Sequence, residues 1–448
     1  MSAQAPAADA EPETGVVKVS GAYRNYVMVL LLGIYIVNFI DRQIVNILAE
    51  PIKQDLGLAD WQLGLMGGLA FALLYTILGM PIALLAERRS RPLIISVAIA
   101  VWSGCTALCG LAQNFTQLVF ARVGVGIGEA GCTPPAHSLV LDYSPRDKRS
   151  SALAFYGMGA PIGGLLGMAF GGLVADAYGW RAAFLIAGIP GVLFALLAFF
   201  TLKEPRHTQA MSEVKQAAVH KVTIRETLTV LAAKKSFFWA VGGMALKAFI
   251  AIGYSLFLAS FFLRVHTEEV AQIAQSLGLQ SIGFLGLTIG VMSGFFGALG
   301  MWLGGQITDR LATRDLRWNM WTCAIAGVLF IPPFIFAITA DSLLVALGAL
   351  AISSTIGTIH YGPAISSMLT VAPARMRAPA SAVQLFASNL IGLGLGPLAV
   401  GALSDVLAAS MGAAEGLRWA IVMFSFGGIP AAFMFMMAAR TLRTDVEP

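Results

Sequence analysis

Long runs of apolar residues, separated by short polar segments, dominate this chain of 448 residues. Twelve of the runs are long enough to cross a bilayer as helices, which takes roughly 17–25 residues each. We number them spans 1 to 12, and they cover residues 24–50, 62–86, 92–112, 115–141, 151–175, 182–202, 236–263, 281–308, 319–340, 343–371, 378–408 and 417–439. None shows the sustained alternation of apolar and polar residues that is typical of a membrane β-barrel. The pattern therefore predicts an all-α integral membrane protein with twelve transmembrane helices.

Composition and charge agree with this prediction. The residues are 57% hydrophobic and 12% charged, whereas soluble domains carry about 25% charged residues. If both termini are cytoplasmic, 22 of the 29 Lys and Arg residues fall on the inner side, and the outer loops receive only Lys53, Arg181, Arg264 and Arg418. This distribution follows the positive-inside rule. It predicts a multi-pass protein of the cell (inner) membrane with cytoplasmic N- and C-termini, and it accounts for the net charge of +5 without nucleic acid.

The polar segments divide the chain into parts. We expect a disordered cytoplasmic tail over residues 1–22, a six-helix bundle over 23–202, a cytoplasmic linker over 203–235, a second six-helix bundle over 236–440 and a cytoplasmic tail over 441–448. Within the linker, Thr223 and Glu226 have the spacing of a capping box. The apolar-periodic segment that follows them predicts an amphipathic helix on the membrane surface.

An internal repeat relates the two predicted bundles. Residues that recur after 229 positions are Gly163 and Gly392, Gly167 and Gly396, Gly172 and Gly401, Asp176 and Asp405, Gly128 and Gly357, and Pro134 and Pro363. Glycines three to five residues apart allow membrane helices to approach closely. The repeat therefore predicts two pseudo-symmetric bundles around a central site, which is the structural basis of alternating access.

Charged residues inside spans 1 and 4 are the strongest functional signal. Asp41 and Arg42 lie in span 1, and Arg122 and Glu129 lie in span 4. An ionised side chain at this depth costs roughly 2.5–3.5 kcal/mol even on lenient scales, so such residues are candidate functional residues. Asn38 shares a side of its helix with Asp41 and Arg42. The cluster is typical of a proton- or ion-coupled transporter.

The spacing of these charges also predicts roles. Glu129 is our candidate for the principal proton carrier, because burial favours a neutral carboxyl group whereas a nearby arginine favours the ionised form. Counting helical rise from the span ends puts Asp41 level with Arg122, and Glu129 deeper, near Tyr35. We therefore expect Asp41 to pair with Arg122, and Arg42 to pair with Glu129 or with an anionic headgroup.

Two copies of a short acidic-basic motif lie at the inner ends of spans 2 and 8. Glu87-Arg88 precedes further basic residues, and Asp309-Arg310 does the same in the second half. In this respect the chain resembles the major facilitator superfamily, whose first copy usually has Asp at the position of Glu87. The resemblance implies the fold of that superfamily and a gating role for these four residues.

Within the superfamily, the chain resembles the spinster (Spns) family of lysolipid and sphingolipid transporters. The resemblance lies in the segments 38–42 (Asn-Phe-Ile-Asp-Arg) and 122–130 (Arg-Val-Gly-Val-Gly-Ile-Gly-Glu-Ala). It implies proton-linked movement of an amphiphile through a central cavity. Asp41, Arg42, Arg122 and Glu129 would then be the coupling set.

Polar residues of the second half are fewer. Lys247 and Tyr254 in span 7, and His360 and Tyr361 in span 10, are weaker cavity candidates within walls of Ala, Leu, Ile and Phe. An arginine-bearing half that faces an apolar half suits a molecule with a phosphate and a tail. We expect an anionic or zwitterionic lysolipid-like substrate. A proton-coupled multidrug exporter and a sugar transporter of the same superfamily stay open as alternatives, as do the direction of transport and the choice between symport and antiport.

Other function classes have weaker support in the sequence. His137 and Asp142 have an acyltransferase-like spacing, but no Gly-rich phosphate loop, HExxH motif or Cys/His cluster accompanies them. A channel would not need two pseudo-symmetric halves. We therefore expect a monomeric membrane carrier rather than an enzyme, with no metal or cofactor, with H+ as the coupling ion, and with the lipid bilayer and a small amphiphile as its partners.

Overall fold

The computed structural model describes residues 20–145, 148–205, 224–373 and 376–446, and helices make up all the regular secondary structure in these ranges. Those of the first half are Gly21–Leu56, Asp60–Gly64, Ala70–Arg88, Arg91–Gly110, Phe115–Glu129, Thr133–Tyr143, Arg149–Gly157 and Gly159–Thr201. Those of the second half are Ile224–Ala232, Lys235–Ser255, Leu258–Val265, Thr267–Ser276, Ser281–Val291, Gly297–Ala312, Trp318–Leu329, Ile331–Thr339, Leu343–Thr358, Tyr361–Val371, Arg377–Ala387, Gly396–Met411, Ala413–Ser425 and Gly428–Asp445. Single π-helical turns continue the helices of spans 2, 8 and 11 over Leu65–Leu69, Met292–Phe296 and Ser388–Leu395.

These helices make twelve crossings. Ten helical stretches of the described chain are each long and apolar enough to span a membrane. One of them, Ser151–Thr201, contains both span 5 and span 6, because the chain turns at Gly179, whose positive φ of 82° suits a glycine. Span 4 completes the set as two short helices that break between Glu129 and Thr133. The predicted all-α fold with twelve transmembrane helices is confirmed.

The helices alternate between two ends of the molecule. At the end that carries the first and last described residues, the Tyr23 hydroxyl donates to the Thr201 carbonyl at 2.8 Å, and the Ser236 amide donates to Asp445 at 2.7 Å. We call this the terminal end, and the opposite one, where span 1 finishes at Leu56, the distal end.

The bounds of several predicted parts differ in the structure. The Ser20 side chain caps a first helix that starts at Gly21, inside the predicted tail, and the last helix runs on to Asp445, inside the predicted C-terminal tail. A helix spans Ile224–Ala232 in the predicted linker. Thr223, the first residue of the expected capping box, lies outside the described residues.

The repeated glycines hold equivalent helices together in the two halves. In the first half, a Cβ added at Gly163 or Gly167 would collide with the backbone of span 1, at Ile36 and Ile40 respectively. In the second half, a Cβ at Gly392 or Gly396 would collide with the backbone of span 7. Spans 5 and 11 thus pack on spans 1 and 7 by the same close approach. The two halves share one design.

Candidate functional site

An ion pair between spans 1 and 4 forms the centre of the N-terminal half. Arg42 Nε lies 2.5 Å from Glu129 Oε2, and the Glu129 side chain is fully buried. The Arg42 guanidinium also lies 4.5 Å from the ring centre of Tyr75 and 5.2 Å from that of Phe71. Aromatic faces attract such a cation, so Arg42 is held by a carboxylate and by three rings, the third being Phe39 at 5.3 Å. Of the two partners expected for Arg42, the structure contains Glu129.

Local sequence explains how Glu129 reaches this position. Glu129 is the last residue of the first helix of span 4. A Cβ at Gly126 would collide with the Phe71 carbonyl, and a Cβ at Gly128 would lie 2.5 Å from the Trp102 amide nitrogen. The two glycines therefore bring span 4 against spans 2 and 3, and this close packing keeps Glu129 fully buried.

The predicted pair between Asp41 and Arg122 is absent from this structure. Asp41 and Arg122 are 0% and 2% exposed, yet both Asp41 oxygens and the Arg122 Nε and Nη1 atoms have no hydrogen-bond partner among the described residues. The Arg122 guanidinium instead lies over Phe71, 5.2 Å from the ring centre. Asp41 faces the neighbouring Trp102 and Thr106 at longer range. The expectation that equal depth implies a pair was wrong here, because the facing direction of each side chain also decides contact.

Asn38 and Tyr35 extend the cluster along span 1. The Asn38 amide is buried and makes no hydrogen bond to the described residues. Tyr35 stacks on Tyr156, with 4.4 Å between ring centres, and meets Phe39 edge-on at 5.0 Å. Several polar atoms of this half are thus buried without a hydrogen-bond partner among the described residues, which makes the cluster a candidate functional site.

A separate cavity lies between the halves and is walled mainly by the second one. Its volume is about 340 Å³, within the range of small-molecule sites. Lys247, Tyr254, His360 and Tyr361, the weaker candidates of the sequence analysis, all line it. Arg42, Arg122, Asp41 and Glu129 do not line it. The structure therefore separates the charge cluster of the N-terminal half from the cavity wall.

Lys247 is the one charged residue of the described cavity wall. Its side chain is 3% exposed, and its ammonium group lies 3.9 Å above the Phe330 ring centre. No carboxylate of the described chain pairs with it. Close by, His360 Nδ1 lies 2.8 Å from the Gly357 carbonyl. A carbonyl only accepts, so this nitrogen carries the proton and Nε2 is left as an acceptor.

Sequence reasoning missed several polar residues of the same wall: Gln43, Asn46, Ser293, Gln384, Ser388 and Asn389. Ser293 lies in the π-helical turn Met292–Phe296, and Ser388 and Asn389 lie in the turn Ser388–Leu395. Such turns are frequent at functional sites. Uncharged polar residues in an apolar run carry no strong cost, so nothing in the sequence distinguishes these from residues that bond their own helix.

The motif residues Glu87, Arg88, Asp309 and Arg310 are exposed at the terminal end. They lie in the last turns of the helices Ala70–Arg88 and Gly297–Ala312, at the ends of spans 2 and 8. Thr308 supports the second copy by donating a hydrogen bond from its hydroxyl to the Gly304 carbonyl at 2.7 Å. Their role in gating stays a prediction.

At the distal end, charged residues of both halves meet. Arg264 Nη2 lies 2.6 Å from Glu50 Oε2 and 2.8 Å from Asp60 Oδ1. Lys53 Nζ lies 2.5 Å from the same Asp60 oxygen. The sequence predicted Arg264 and Lys53 to lie in outer loops, and it did not predict this contact between spans 1, 2 and 7. No local sequence pattern indicates this contact, because it joins residues of different spans and of different halves.

The remaining candidate chemistry is structural. Asp142, from the acyltransferase-like spacing, lies 2.6 Å from the fully buried Arg91, which also pairs with Glu204. His137 meets Tyr156 edge-on. Within the described ranges, no group of three or more His, Cys, Asp or Glu residues is arranged to hold a metal ion.

The architecture and these sites agree with what the chain is similar to. A family model of the Major Facilitator Superfamily matches residues 31–397. The chain belongs to that superfamily. Its members are transporters and not enzymes.

Individual relatives narrow the type. The structure of a bacterial homologue of the human lysosomal transporter spinster, inward-facing and unoccupied, matches with a TM-score of 0.84 and 31% identity, over 96% of this chain and 100% of that one. Protein spinster homolog 3 of Danio rerio is 25% identical over 99% of this chain and 90% of its own length. An MFS-type efflux pump of Mycolicibacterium smegmatis is 32% identical over 91% of each chain. This major facilitator protein is a multi-pass membrane transporter of the spinster type.

Proposed function

We propose that this transporter moves a lysolipid- or sphingolipid-like amphiphile across the membrane, coupled to protons. The observation that carries the proposal is the cavity between the halves. Its wall combines a large apolar surface with one ammonium group, at Lys247. An acyl chain suits the first, and an acidic headgroup suits the second.

The apolar part of the wall supports binding of a tail. Met244, Ile250, Leu258, Phe330 and Leu350 contribute to it from three spans. Each CH2 group moved out of water gains about 0.8 kcal/mol. A lipid tail already lies in a bilayer, so most of this gain is lost and we expect modest affinity. We therefore expect the apolar wall to contribute more to selectivity for the shape of the tail than to affinity.

The N-terminal cluster supports coupling to protons. Arg42 binds one oxygen of Glu129, while no described residue donates a hydrogen bond to Glu129 Oε1 or to either oxygen of Asp41, all of which are buried. Protonation of Glu129 would remove the charge that holds Arg42. Arg42 would then be free to turn toward the cleft, since the side chain of the adjacent Asp41 points to another side of the helix. Such an exchange of partners would link proton binding to the relative motion of the two halves.

The named relatives keep two alternatives in view. One is an efflux pump, and another, 27% identical over 81% of this chain, is a probable L-galactonate transporter of Escherichia coli. A cationic drug would call for a carboxylate in the wall, and the described wall has none. A sugar would call for more hydrogen-bonding groups on several sides. Both therefore fit the cavity less well than an anionic amphiphile does.

Proteoliposome uptake tests the proposal. Purified protein would be reconstituted and given lysophospholipids, sphingoid phosphates, sugars, sugar acids and cationic drugs, each with and without a pH gradient. We expect saturable transport of a lysolipid or sphingoid phosphate that a pH gradient accelerates and an uncoupler abolishes. Saturable transport of a sugar or a cationic drug, with none of any lipid, would contradict the substrate class. Lipid transport that ignores the gradient would contradict proton coupling alone.

A further inference from the structure

The geometry points to Lys247 as the residue that binds the acidic group of the substrate, whichever class the substrate belongs to. This inference rests on the proposed function and assigns its headgroup site. It also departs from the expectation that the arginines of the N-terminal half receive the headgroup.

Both arginines of the N-terminal half have other partners. Arg42 pairs with Glu129, and the Arg122 guanidinium lies over the Phe71 ring. Neither lines the cavity, whereas Lys247 does. A buried ammonium group without an anion is unfavourable, and only a neighbouring ring offsets part of that cost. The cavity therefore holds an uncompensated positive charge that an anionic group would neutralise.

Two amides, those of Gln384 and Asn389, line the same cavity as that ammonium. A phosphate or carboxylate would accept hydrogen bonds from Lys247 and from these amides, while its carbon chain lay along the Phe330 side. The same arrangement disfavours cations, because no carboxylate of the described wall opposes Lys247.

Matched variants on one helix test this assignment. Lys247→Gln removes the charge, Lys247→Arg keeps it, and Lys235→Gln removes an exposed lysine from the same helix. Binding and transport would be measured in proteoliposomes for a monoacylglycerol phosphate and a monoacylglycerol of equal chain length, and for galactonate. We expect Lys247→Gln to raise KM for the phosphate at least tenfold and for the neutral lipid less than twofold. Lys247→Arg should retain most of the wild-type affinity, and Lys235→Gln all of it.

Stability separates binding from folding. If Lys247 had only a structural role, Lys247→Met should lower the Tm of the protein. If Lys247 is a binding residue without a partner in the core, an apolar side chain at this position should leave the protein at least as stable as the wild type. We expect Lys247→Met to keep or raise Tm and to lose the thermal shift that the phosphate lipid causes in the wild type. Equal KM values for the phosphate in wild type and Lys247→Gln would overturn the inference. Lys247-dependent transport of galactonate alone would overturn the lysolipid proposal and leave this inference standing.

A second inference follows from a different observation, the Gly-x3-Asp repeat. We propose that Gly172 with Asp176, and Gly401 with Asp405, are a symmetric pair of latches that hold the distal ends of the two halves together. Each latch lies on one half, and its aspartate accepts hydrogen bonds from backbone amides in the first turn of a helix of the other half.

The hydrogen bonds of the two latches correspond. Asp405 accepts from the Asp60 and Trp61 amides at 3.0 and 2.8 Å, where span 2 begins. Asp176 accepts from the Gly283 amide at 2.6 Å, where span 8 begins. The first amides of a helix lack intrahelical partners and carry partial positive charge, so a carboxylate there is favourable. Spans 2 and 8 are equivalent helices of the two halves.

The glycines bring the latches within reach. A Cβ on Gly172 would lie 2.6 Å from the Ile282 carbonyl, and a Cβ on Gly401 would collide with the Asp60 carbonyl. Ser404 adds a hydrogen bond to Asp60 at 2.7 Å, and Arg264 joins the same carboxylate to span 7. Where both partners are described residues, every hydrogen bond between the halves lies at this distal end. Opening of this end must break both latches.

Distance measurements between the halves test the latches. Spin labels would be placed at Tyr178→Cys and Ser410→Cys, exposed positions of the two halves near the distal end, in a cysteine-free background of the full chain. We expect Asp176→Ala with Asp405→Ala to add a longer-distance population, and each single change to add less. Asp55→Asn is the control, because it removes a distal ion pair with Arg181 that stays within one half.

A steric variant gives an independent result. Gly401→Ala should also populate longer distances, whereas Gly305→Ala, with nothing within 4 Å of its Cβ, should not. Unchanged distances in both the double aspartate variant and Gly401→Ala would overturn the latch proposal. A shift in the Asp55→Asn control equal to that in the double variant would overturn it as well, because the effect would then be one of surface charge.

Discussion

The two halves of this transporter repeat one helical design and treat buried charge in opposite ways. In the N-terminal half, Arg42 and Glu129 neutralise each other inside packed helices. In the C-terminal half, Lys247 stands at the cavity wall without an anion. A paired charge can respond to a proton, because protonation breaks the pair. An unpaired charge can respond to a ligand, because the ligand supplies the missing partner.

This difference suggests a division of work between the halves. The repeat partners of Arg122 and Glu129 in the second half are Ala351 and Thr358, neither of which is charged. Duplication therefore preserved the backbone contacts of the helices while the charged side chains diverged. The relative motion of the halves would then couple proton handling on one side to substrate contact on the other.

Glu129→Gln should have the largest effect, because it removes the group that we propose to carry the proton. Glutamine keeps the shape and can still accept a hydrogen bond from Arg42, but it cannot titrate. We expect gradient-driven uptake to be lost while substrate exchange without a gradient is largely retained. Uptake and exchange in proteoliposomes over a range of pH would measure this.

The control for that variant is Glu268→Gln, which neutralises an exposed glutamate in the short helix Thr267–Ser276 between spans 7 and 8. It should transport like the wild type. If Glu129→Gln keeps the wild-type dependence of transport on pH, the proton is carried elsewhere and the contrast between the halves loses its functional meaning.

Arg42→Ala should come next, with effects on both stability and transport. It leaves Glu129 buried without its cation, and removal of one partner of a buried pair typically costs about 3–5 kcal/mol, less here because Arg42 is 19% exposed. Adding Glu129→Gln to Arg42→Ala should recover much of the lost Tm but none of the coupled transport.

A change at the neighbouring carboxylate is expected to act on function more than on folding. Asp41→Asn should lower the rate of transport more than it lowers the amount of protein expressed.

A double-mutant cycle on Tm and on uptake measures these effects together. If the Tm losses of Arg42→Ala and Glu129→Gln simply add in the double variant, the two residues do not contribute as a pair. Normal transport by both Arg42→Ala and Asp41→Asn would mean that the cluster only supports the fold.

The sequence predicts the fold well because its signals are long and redundant. Apolar runs, the distribution of arginines and the glycine repeat each indicate twelve helices in two halves, and close packing at Gly163 and Gly392 follows directly. Pairing is harder to predict. Residue counts give the depth of a side chain along its helix, but they do not give the rotation or tilt of the helix. The pair of Arg42 with Glu129 was therefore only one of two predicted options, and the predicted pair of Asp41 with Arg122 was wrong. The burial of Arg264 depended on contacts across the halves, which no local pattern encodes.

A third prediction compares one repeat pair directly. Gly128 and Gly357 are 229 residues apart, yet a Cβ on Gly128 would collide with the Trp102 backbone, and one on Gly357 would meet nothing within 4 Å. Gly128→Ala should destabilise by about 1–3 kcal/mol through overpacking. Gly357→Ala should be neutral or stabilising by up to about 1 kcal/mol, because alanine favours a helix. Tm values of the two purified variants in one detergent would measure the difference, and equal losses would argue that the halves pack alike here too.

The smallest effect should come from an ion pair whose arginine is exposed, Arg443 with Asp315, which tests whether burial is what makes the Arg42 pair important. Asp315 accepts hydrogen bonds from the Arg317 side chain and amide and lies 2.8 Å from Arg443 Nη2, and Arg317 followed by Arg443 lowers the pKa of Asp315 to about 2. A lowered folded-state pKa contributes stability above the ordinary value near 3.8, and that contribution is lost as the pH falls through about 2. Asp315→Asn should therefore lower Tm only slightly at pH 7, because exposed pairs contribute little. The difference from the wild type should shrink between pH 4 and pH 2, which Tm measurements across that range would detect. A loss of Tm as large as that of Arg42→Ala would show that proximity of charges, rather than their burial, sets the strength of these pairs.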